Sequence, residues 1–257
     1  MKNKEWALVT GVSSGIGKDF CLELAKRNFN LIQVARSNDL LNQNAEILKE
    51  KYGTESFIIC EDLSSREKVE IVLEKTKNFD ISIIVLAAGF GTSGDFIDIP
   101  VQDELNMIDL NCIAVVQICS EFVNRFKARG EGKIVLFSSL VAFQGVARAA
   151  TYSATKAFIQ SFAEGIYTEL KKINIDVISC APGPIHSGFG SRAKMNMGLS
   201  AKPNGIANET LNAIGKSLTV RPGLLSKILG YSLAPLPRLF RRMILNKIMG
   251  DMTRDVK

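Results

Sequence analysis

Tyr152 and Lys156 have the spacing most suggestive of acid–base chemistry in this sequence. In a helix, residues four apart lie on the same face, so the phenol and the ammonium group would be neighbours. A free tyrosine has a pKa of about 10, and a nearby cation lowers that value. A decrease of about 3 pKa units, or roughly 4 kcal/mol, would make Tyr152 an acid–base group near neutral pH. Alone, this spacing more often marks an ordinary pair on a helix surface.

Ser139 adds a second functional group to this pair. It lies 13 residues before Tyr152, directly after an apolar run that is typical of a β-strand. In open α/β sheets, ligands bind at the carboxyl ends of the strands. A hydroxyl at that edge can donate a hydrogen bond to a carbonyl oxygen and stabilise the charge that develops there. The three residues therefore predict chemistry at a carbonyl oxygen.

A glycine-rich turn joins the first apolar run to the first helical pattern. Gly11, Gly15 and Gly17 allow a tight turn and the close approach of a pyrophosphate to the backbone. The helix N-terminus adds free N–H groups and a positive dipole end. The spacing differs from G-x-G-x-x-G, and a plain tight turn is the alternative, but the placement between strand and helix favours a dinucleotide site. The predicted site also includes Ser13, Ser14 and Ile16.

Arg36 and Ser37 follow the second apolar run. A site that prefers NAD usually has Asp or Glu at this point, which accepts a hydrogen bond from the ribose 2′-OH. A guanidinium suits a 2′-phosphate instead. The sequence therefore predicts NADP as the cofactor, and the alternative is an arginine at a solvated helix start.

Apolar runs alternate with longer helical patterns along the chain, and the runs are apolar on both faces. This pattern predicts a parallel sheet covered by helices on both sides. The fold class is α/β, with a single-domain, Rossmann-type, doubly wound sheet at residues 1–221 and a helical extension of the same domain at 222–257. The predicted strands are 7–10, 31–35, 57–60, 81–87, 134–137, 175–180 and 218–220, and the helices are 16–27, 40–51, 68–77, 101–128, 151–171 and 204–216.

The net charge of +6 comes from the end of the chain. Residues 1–220 contain 24 basic and 24 acidic residues, whereas 221–257 contain 8 and 2. A neutral main body argues against a nucleic-acid partner. In the tail, apolar residues recur at helical spacing between the basic ones, which predicts a basic amphipathic helix. They are Leu236, Leu239, Phe240, Met243, Ile244 and Ile248. This helix would pack on its own domain or a sister subunit, cover a lipophilic substrate, or lie on an anionic membrane.

Composition and cysteine usage bound the class of protein. The chain is 46% hydrophobic and 23% charged, which is typical of a globular domain and excludes disorder. Its five cysteines form no C-x-x-C pair and it has one histidine, so no metal site is expected. No apolar leader precedes Trp6, and no uncharged apolar run reaches about 18 residues. We therefore expect a cytoplasmic protein in a reducing compartment.

Together these motifs resemble the short-chain dehydrogenase/reductase family over about residues 5–190. The resemblance implies a catalytic set of Asn111, Ser139, Tyr152 and Lys156. Tyr152 would give a proton to the substrate oxygen, and Ser139 would orient and polarise the carbonyl. Lys156 would hold the nicotinamide ribose and lower the Tyr152 pKa. Asn111 would support a water in a proton relay.

The resemblance also implies further cofactor contacts. Asp62 would contact the adenine ring and Ile185 the carboxamide. The other implied contacts are Leu63, Ala87, Ala88, Gly89, Pro182, Gly183 and Ser187, together with Tyr152 and Lys156. Ala87 stands where the family usually has asparagine, which puts local stability in doubt more than chemistry. His186, beside this turn, is expected to lie in a loop without chemistry.

The sequence thus predicts an NADP(H)-dependent oxidoreductase that uses NADPH to reduce a lipophilic ketone or a 3-oxoacyl chain. The tail looks like that of bacterial ketoacyl and hydroxysteroid reductases. The expected substrate pocket includes residues 90–96, 140–146 and 183–200, with Phe143, Phe189, Met195, Met197 and Leu199 making it apolar. By resemblance, the chain forms a homo-oligomer. The alternatives are a non-enzymatic NADP(H)-binding protein and a membrane-associated lipid-handling partner.

Overall fold

A seven-stranded parallel sheet is the centre of the computed structural model, which describes residues 4–185, 190, 192–193, 195–196 and 203–253. Its strands lie in the order β3-β2-β1-β4-β5-β6-β7. They are β1 (Trp6–Thr10), β2 (Asn30–Ala35), β3 (Ser56–Cys60), β4 (Ile81–Leu86), β5 (Gly132–Phe137), β6 (Ile175–Cys180) and β7 (Thr219–Val220). The predicted Rossmann-type sheet is confirmed. The strand order reverses between β1 and β4, where such sheets bind ligands.

Helices cover both faces of the sheet. They are α1 (Gly15–Lys26), α2 (Asn38–Tyr52), α3 (Arg66–Lys75), α4 (Val101–Ile108), α5 (Ala114–Arg129), α6 (Ala150–Leu170), α7 (Ile206–Ala213), α8 (Leu224–Leu233) and α9 (Arg238–Thr253). Helices α1, α2 and α7 pack on one face, and α3, α5 and α6 on the other. Alternate residues of each strand belong to these two cores, because successive side chains of a strand point to opposite faces. This explains why the strands are apolar throughout.

The helix predicted for 101–128 is not continuous. A π-helical turn at Asp109–Ile113 separates α4 from α5. Such turns insert one extra residue and often occur at functional sites. By length and composition alone, Val101–Arg129 is apolar enough to cross a membrane, but half of its most apolar window is buried inside the protein. The core side chains Phe122 and Phe126 lie on α5.

Helices α8 and α9 pack against the segment between β5 and α6. Leu233, Leu245 and Met249 form an apolar cluster with Val146 and Ala149. Two polar contacts fix this arrangement. The backbone N–H of Ala147 donates to Asn246 Oδ1 at 2.8 Å, and Arg148 Nε donates to Thr253 Oγ1 at 2.6 Å. The tail thus packs on its own domain, beside the N-terminal end of α6.

Candidate active site

The loops after the first four strands meet at the carboxyl edge of the sheet and line one crevice. It contains most of the predicted cofactor residues, namely Gly11, Ser13, Ser14, Gly15, Ile16, Gly17, Arg36, Asp62, Leu63, Ala87, Ala88 and Gly89. Ser37 stands just outside the set of described lining residues, at the N-cap position of α2. Motifs that are far apart in the chain therefore form a continuous wall.

The glycine turn of this wall has no room for a side chain at Gly11 or at Gly17. Gly11 has a φ of +73°, and a Cβ built there would lie 2.8 Å from Ala88 Cα. A Cβ on Gly17 would collide with the carbonyl oxygen of Gly11. The backbone N–H of Ala88 donates to Thr10 Oγ1 at 3.0 Å, which anchors the segment where the family's asparagine is missing. This bare turn at the N-terminus of α1 fits a dinucleotide pyrophosphate.

Two arginines lie at the outer end of the crevice. Arg36 Nη1 is 3.5 Å from Asp62 Oδ2, and both side chains are largely exposed. Burial would raise the pKa of Asp62, but hydrogen bonds from Ser64 and the charge of Arg36 hold it below its ordinary value. Arg192, which sequence reasoning missed, also lines the crevice. Desolvation, and then the positive charge of Arg36, lower the pKa of Arg192, and both residues line the same cavity.

Ser139, Tyr152 and Lys156 come together on the inner wall of the cavity. Ser139 caps the short 3-10 turn after β5, while the other two residues lie one helical turn apart on α6. The Ser139 and Tyr152 side chains are hydrogen-bonded. Lys156 Nζ lies 5.7 Å from the centre of the Tyr152 ring and donates to the carbonyl oxygen of Phe137 at 2.9 Å. The lysine is thus fixed between the strand end and the phenol.

The expected decrease in the Tyr152 pKa is wrong. Burial raises the pKa of Tyr152 to about 12, against the hydrogen bond with Ser139, which lowers it. Burial also lowers the pKa of Lys156 to about 8. Desolvation disfavours both charged forms, so the phenol and the amine each move toward neutrality. The sequence prediction included the positive charge of Lys156 but not the burial of Tyr152 and Lys156.

Asn111 is held behind this wall rather than on it. Its Nδ2 donates to the carbonyl oxygen of Phe90 at 2.9 Å and to Thr155 Oγ1 at 3.1 Å, and its Oδ1 accepts from the Phe90 N–H at 3.1 Å. The π-helical turn presents this side chain to both the loop after β4 and α6. Asn111 therefore ties the crevice loop to the helix that bears Tyr152 and Lys156.

A buried polar cluster supports the strand ends beside Ser139. Ser138 Oγ and Ser179 Oγ each donate to Gln160 Oε1 at 2.8 Å. Gln160 Nε2 donates in turn to Thr219 Oγ1 at 2.8 Å. These bonds join β5, β6, β7 and α6. Sequence reasoning missed the cluster because its members carry no recognisable spacing.

The inner half of the cavity has an apolar lining, and the tail supplies most of it. Leu140, Val141 and Met195 form part of the wall. The roof consists of Leu229 from α8 and of Leu245, Ile248, Met249 and Met252 from α9. The expected contribution of residues 90–96 and Phe143 is wrong. Phe143 lies instead in a separate shallow groove and stacks on Arg221.

The turn after β6 closes the cavity between the crevice and the roof. Pro182, Gly183 and Ile185 line it, and the Gly183 N–H donates to Ser226 Oγ of α8 at 2.7 Å. The remaining predicted positions of this region lie outside the described residues, namely His186, Ser187, Phe189, Met197 and Leu199. Within the described ranges, no three His, Cys, Asp or Glu side chains are grouped to hold a metal ion.

Comparisons with known proteins agree with this geometry. Residues 5–197 match the family model for short chain dehydrogenases. A 7beta-hydroxysteroid dehydrogenase of Mediterraneibacter gnavus is 26% identical over 235 residues, which are 86% of this chain and 87% of that protein. A very-long-chain 3-oxoacyl-CoA reductase of Anas platyrhynchos is 32% identical over 182 residues, 69% of this chain and 58% of that one. A solved short-chain dehydrogenase from Sphingobium yanoikuyae, in complex with NADPH, is 25% identical with a TM-score of 0.81 over 98% of this chain and 96% of that chain.

Proposed function

Because the chain belongs to the short-chain dehydrogenase family, we propose that it is an NADP(H)-dependent reductase of a lipophilic ketone or a 3-oxoacyl chain. Relatives named as dehydrogenases and reductases support oxidoreduction between carbonyl and alcohol groups. The observation that carries the proposal is the position of Ser139, Tyr152 and Lys156 between a dinucleotide-shaped crevice and an apolar roof.

A nicotinamide dinucleotide bound in the crevice would supply the hydride. Ser139 donates a hydrogen bond to the substrate carbonyl oxygen and polarises it. Tyr152 gives its proton to that oxygen as negative charge develops, which completes the alcohol. A pKa of about 12 keeps Tyr152 protonated beforehand, as an acid requires. Lys156 holds the nicotinamide ribose and stabilises the phenolate that is left, while Asn111 supports the return of a proton from water.

The cofactor preference rests on the outer end of the crevice. Arg36 and Arg192 offer two guanidinium groups to one space, and guanidinium groups bind phosphate bidentately. The NADPH complex of the related dehydrogenase supports the same choice. NADPH would therefore be bound in preference to NADH, with Arg192 as a second contact for its 2′-phosphate.

The substrate class rests on the roof. The side chains of Leu245, Ile248 and Met249 present aliphatic carbon and sulfur to the substrate side of the cavity. Such walls suit a lipophilic ligand that carries a single polar group for orientation. The names of two relatives, a hydroxysteroid dehydrogenase and a 3-oxoacyl-CoA reductase, support the same class.

The proposal includes a cytoplasmic location and a homo-oligomer. The five cysteines carry no disulfide, which suits a reducing compartment. Val101, Leu105 and Ile108 of α4, Val116 of α5 and Phe158 of α6 are large apolar side chains that are exposed to solvent. A second copy that covers these helices would remove them from water.

The first experiment measures NADPH and NADH binding by calorimetry for the wild type, Arg36→Ala and Arg192→Ala. We expect NADPH to bind the wild type far more tightly, and each variant to lose about tenfold or more of that preference, because a charge-assisted hydrogen bond contributes about 1.5–3 kcal/mol. A panel of ketosteroids, 3-oxoacyl thioesters and aldehydes then tests turnover. If neither nucleotide binds, the reductase proposal fails and a non-catalytic role takes its place.

A further inference from the structure

Helices α8 and α9 each carry an apolar stripe that faces away from the cavity. On α8, Leu224, Ile228 and Tyr231 are 75%, 55% and 65% exposed. Their spacing of four and three residues places them on one side of the helix. On α9, the exposed residues are Leu239, Phe240, Met243 and Ile244. We call these seven side chains the outer face.

The outer face and the roof are formed by different residues of the same two helices. On α8 the buried Leu233 lies on the opposite side from Leu224 and Ile228, with the roof residue Leu229 between the two sides. On α9, Leu245 and Met249 lie on the opposite side from Phe240 and Met243. Both helices are therefore apolar on two sides. A surface helix that only covers a core carries polar residues on its outer side. On α9 the exposed side chains are neighbours at helical spacing, and an exposed apolar patch of this kind marks an interaction surface.

Cations flank the outer face. Arg238, Arg242 and Lys247 are exposed on α9, and none forms an ion pair within the part of the chain that the structure describes. Between residues 221 and 253, Asp251 is the single acidic residue against six basic ones. A second copy of the chain bound through a two-fold contact would bring the same cations close to each other. The charge therefore favours an anionic partner.

We propose that the outer face docks on an anionic lipid bilayer. Helices that lie in a membrane interface combine large apolar side chains with Lys and Arg at the edges of the apolar side. Each basic residue near an anionic bilayer strengthens binding by about fivefold. Leu239, Phe240 and Met243 enter the lipid headgroup region, and the arginines contact lipid phosphates.

Docking places the roof of the cavity beside the lipid. A helix with its side chains is about 10–12 Å wide, so only the width of α8 or α9 separates the outer face from the cavity. A lipophilic carbonyl compound dissolved in the bilayer then reaches the pocket along a short path. This second step rests on the proposed function, whereas the docking does not.

The test is sedimentation of the full chain with vesicles of phosphatidylcholine alone or of equal parts phosphatidylcholine and phosphatidylglycerol. We expect the wild type to pellet only with the anionic vesicles, and added salt to weaken this. The double variant Phe240→Asp/Met243→Asp should lose about tenfold or more of the binding, since two acidic groups replace apolar contacts. The matched control is Phe96→Asp/Ile97→Asp, which changes the same number of exposed apolar residues elsewhere and should pellet like the wild type.

NADPH affinity shows that each variant is folded, and light scattering measures its oligomeric state. Docking is overturned if the wild type stays in solution with anionic vesicles, or if the control variant loses binding equally. It is also overturned if Phe240→Asp/Met243→Asp dissociates an oligomer and leaves vesicle binding unchanged, which would assign the outer face to a second copy. Nucleotide binding separates the two proposals, because a chain that binds anionic vesicles but neither NADPH nor NADH refutes the reductase and leaves the docking intact.

Discussion

The dinucleotide crevice and the apolar roof bound the same cavity but are built from different parts of the chain. At Gly11 and Gly17 the crevice wall consists of backbone alone, and a Cβ there would overlap neighbouring atoms. The roof is formed by residues with large apolar side chains, Leu229, Leu245, Ile248, Met249 and Met252. Backbone contacts tolerate few residue types, whereas aliphatic side chains replace one another readily. Under the proposed function, the crevice would bind the dinucleotide that the family shares, and the roof would contact the substrate.

Tyr152 stands where the two regions meet, and we expect its removal to have the largest effect. Tyr152→Phe should lower kcat by about 10³-fold, because general acid catalysis contributes about 10²–10⁴-fold. NADPH binding should remain, since the crevice is unchanged. The matched control is Tyr167→Phe on the same helix, outside the cavity. Steady-state kinetics with calorimetry check this, and turnover retained by Tyr152→Phe would remove its assignment as the acid.

Gly11 tests whether the crevice wall is fixed by its backbone. Gly11→Ala should destabilise the protein by about 3 kcal/mol or more and abolish NADPH binding, because it adds overlap with Ala88 to the strain of a positive φ. Gly53→Ala is the matched control, with a φ of +58° and no atom within 4 Å of the new Cβ. Urea unfolding compares the two. Equal losses of unfolding free energy would show that backbone strain alone accounts for both.

Lys156 is kept buried at a cost in stability. In the native state its pKa falls from 10.5 to about 8, so below pH 8 the folded protein carries a desolvated charge. Lys156→Met should abolish turnover yet raise the free energy of unfolding at pH 7 by about 1–3 kcal/mol. Between pH 8 and 10.5 the unfolded chain binds more protons than the native one, so wild-type stability rises with pH and the advantage of the variant shrinks.

Urea unfolding at pH 7 and pH 10 measures that difference. The control is Lys172→Met, which replaces an exposed lysine outside the cavity. If the unfolding free energies of Lys156→Met and of the wild type differ by the same amount at both pH values, burial does not account for the lowered pKa of Lys156.

The roof should give the smallest effect, confined to the substrate. Ile248→Val removes one methylene from the cavity lining, worth about 0.8 kcal/mol, and should raise the KM of a lipophilic ketone about fourfold. The Kd for NADPH should not change. Ile244→Val makes the same change on the outer side of the same helix and should leave KM unchanged. A shift in the Kd for NADPH would show that roof and crevice are coupled rather than separate.

The sequence was most informative where local backbone geometry limits the residue type. The glycine turn after β1 was predicted from its place between an apolar run and a helical pattern, and the Tyr152–Lys156 pair from its spacing together with Ser139 and the family resemblance. The predicted ends of the strands and of most helices also lie within two residues of the observed ones.

Residue spacing did not predict which side chains are buried by parts of the chain that are distant in sequence. Leu239, Phe240, Met243 and Ile244 were assigned to one apolar stripe together with Ile248, yet the first four are exposed and Ile248 lines the cavity. Because α9 is apolar on two sides, helical spacing cannot identify the buried one. The π-helical turn at Asp109–Ile113 was missed for a similar reason, since the apolar pattern runs through it without a break.

The ribosome synthesises the residues of the crevice before those of the roof. The described crevice residues end at Arg192, whereas α8 and α9 begin only at residues 224 and 238. A ribosome adding about 5–20 residues per second therefore exposes the whole crevice several seconds before the last roof residue emerges. During that interval the two helices that form the roof are still incomplete. Docking of α9 onto Ala147 and Arg148 closes the substrate side of the cavity after all the described crevice residues have been synthesised.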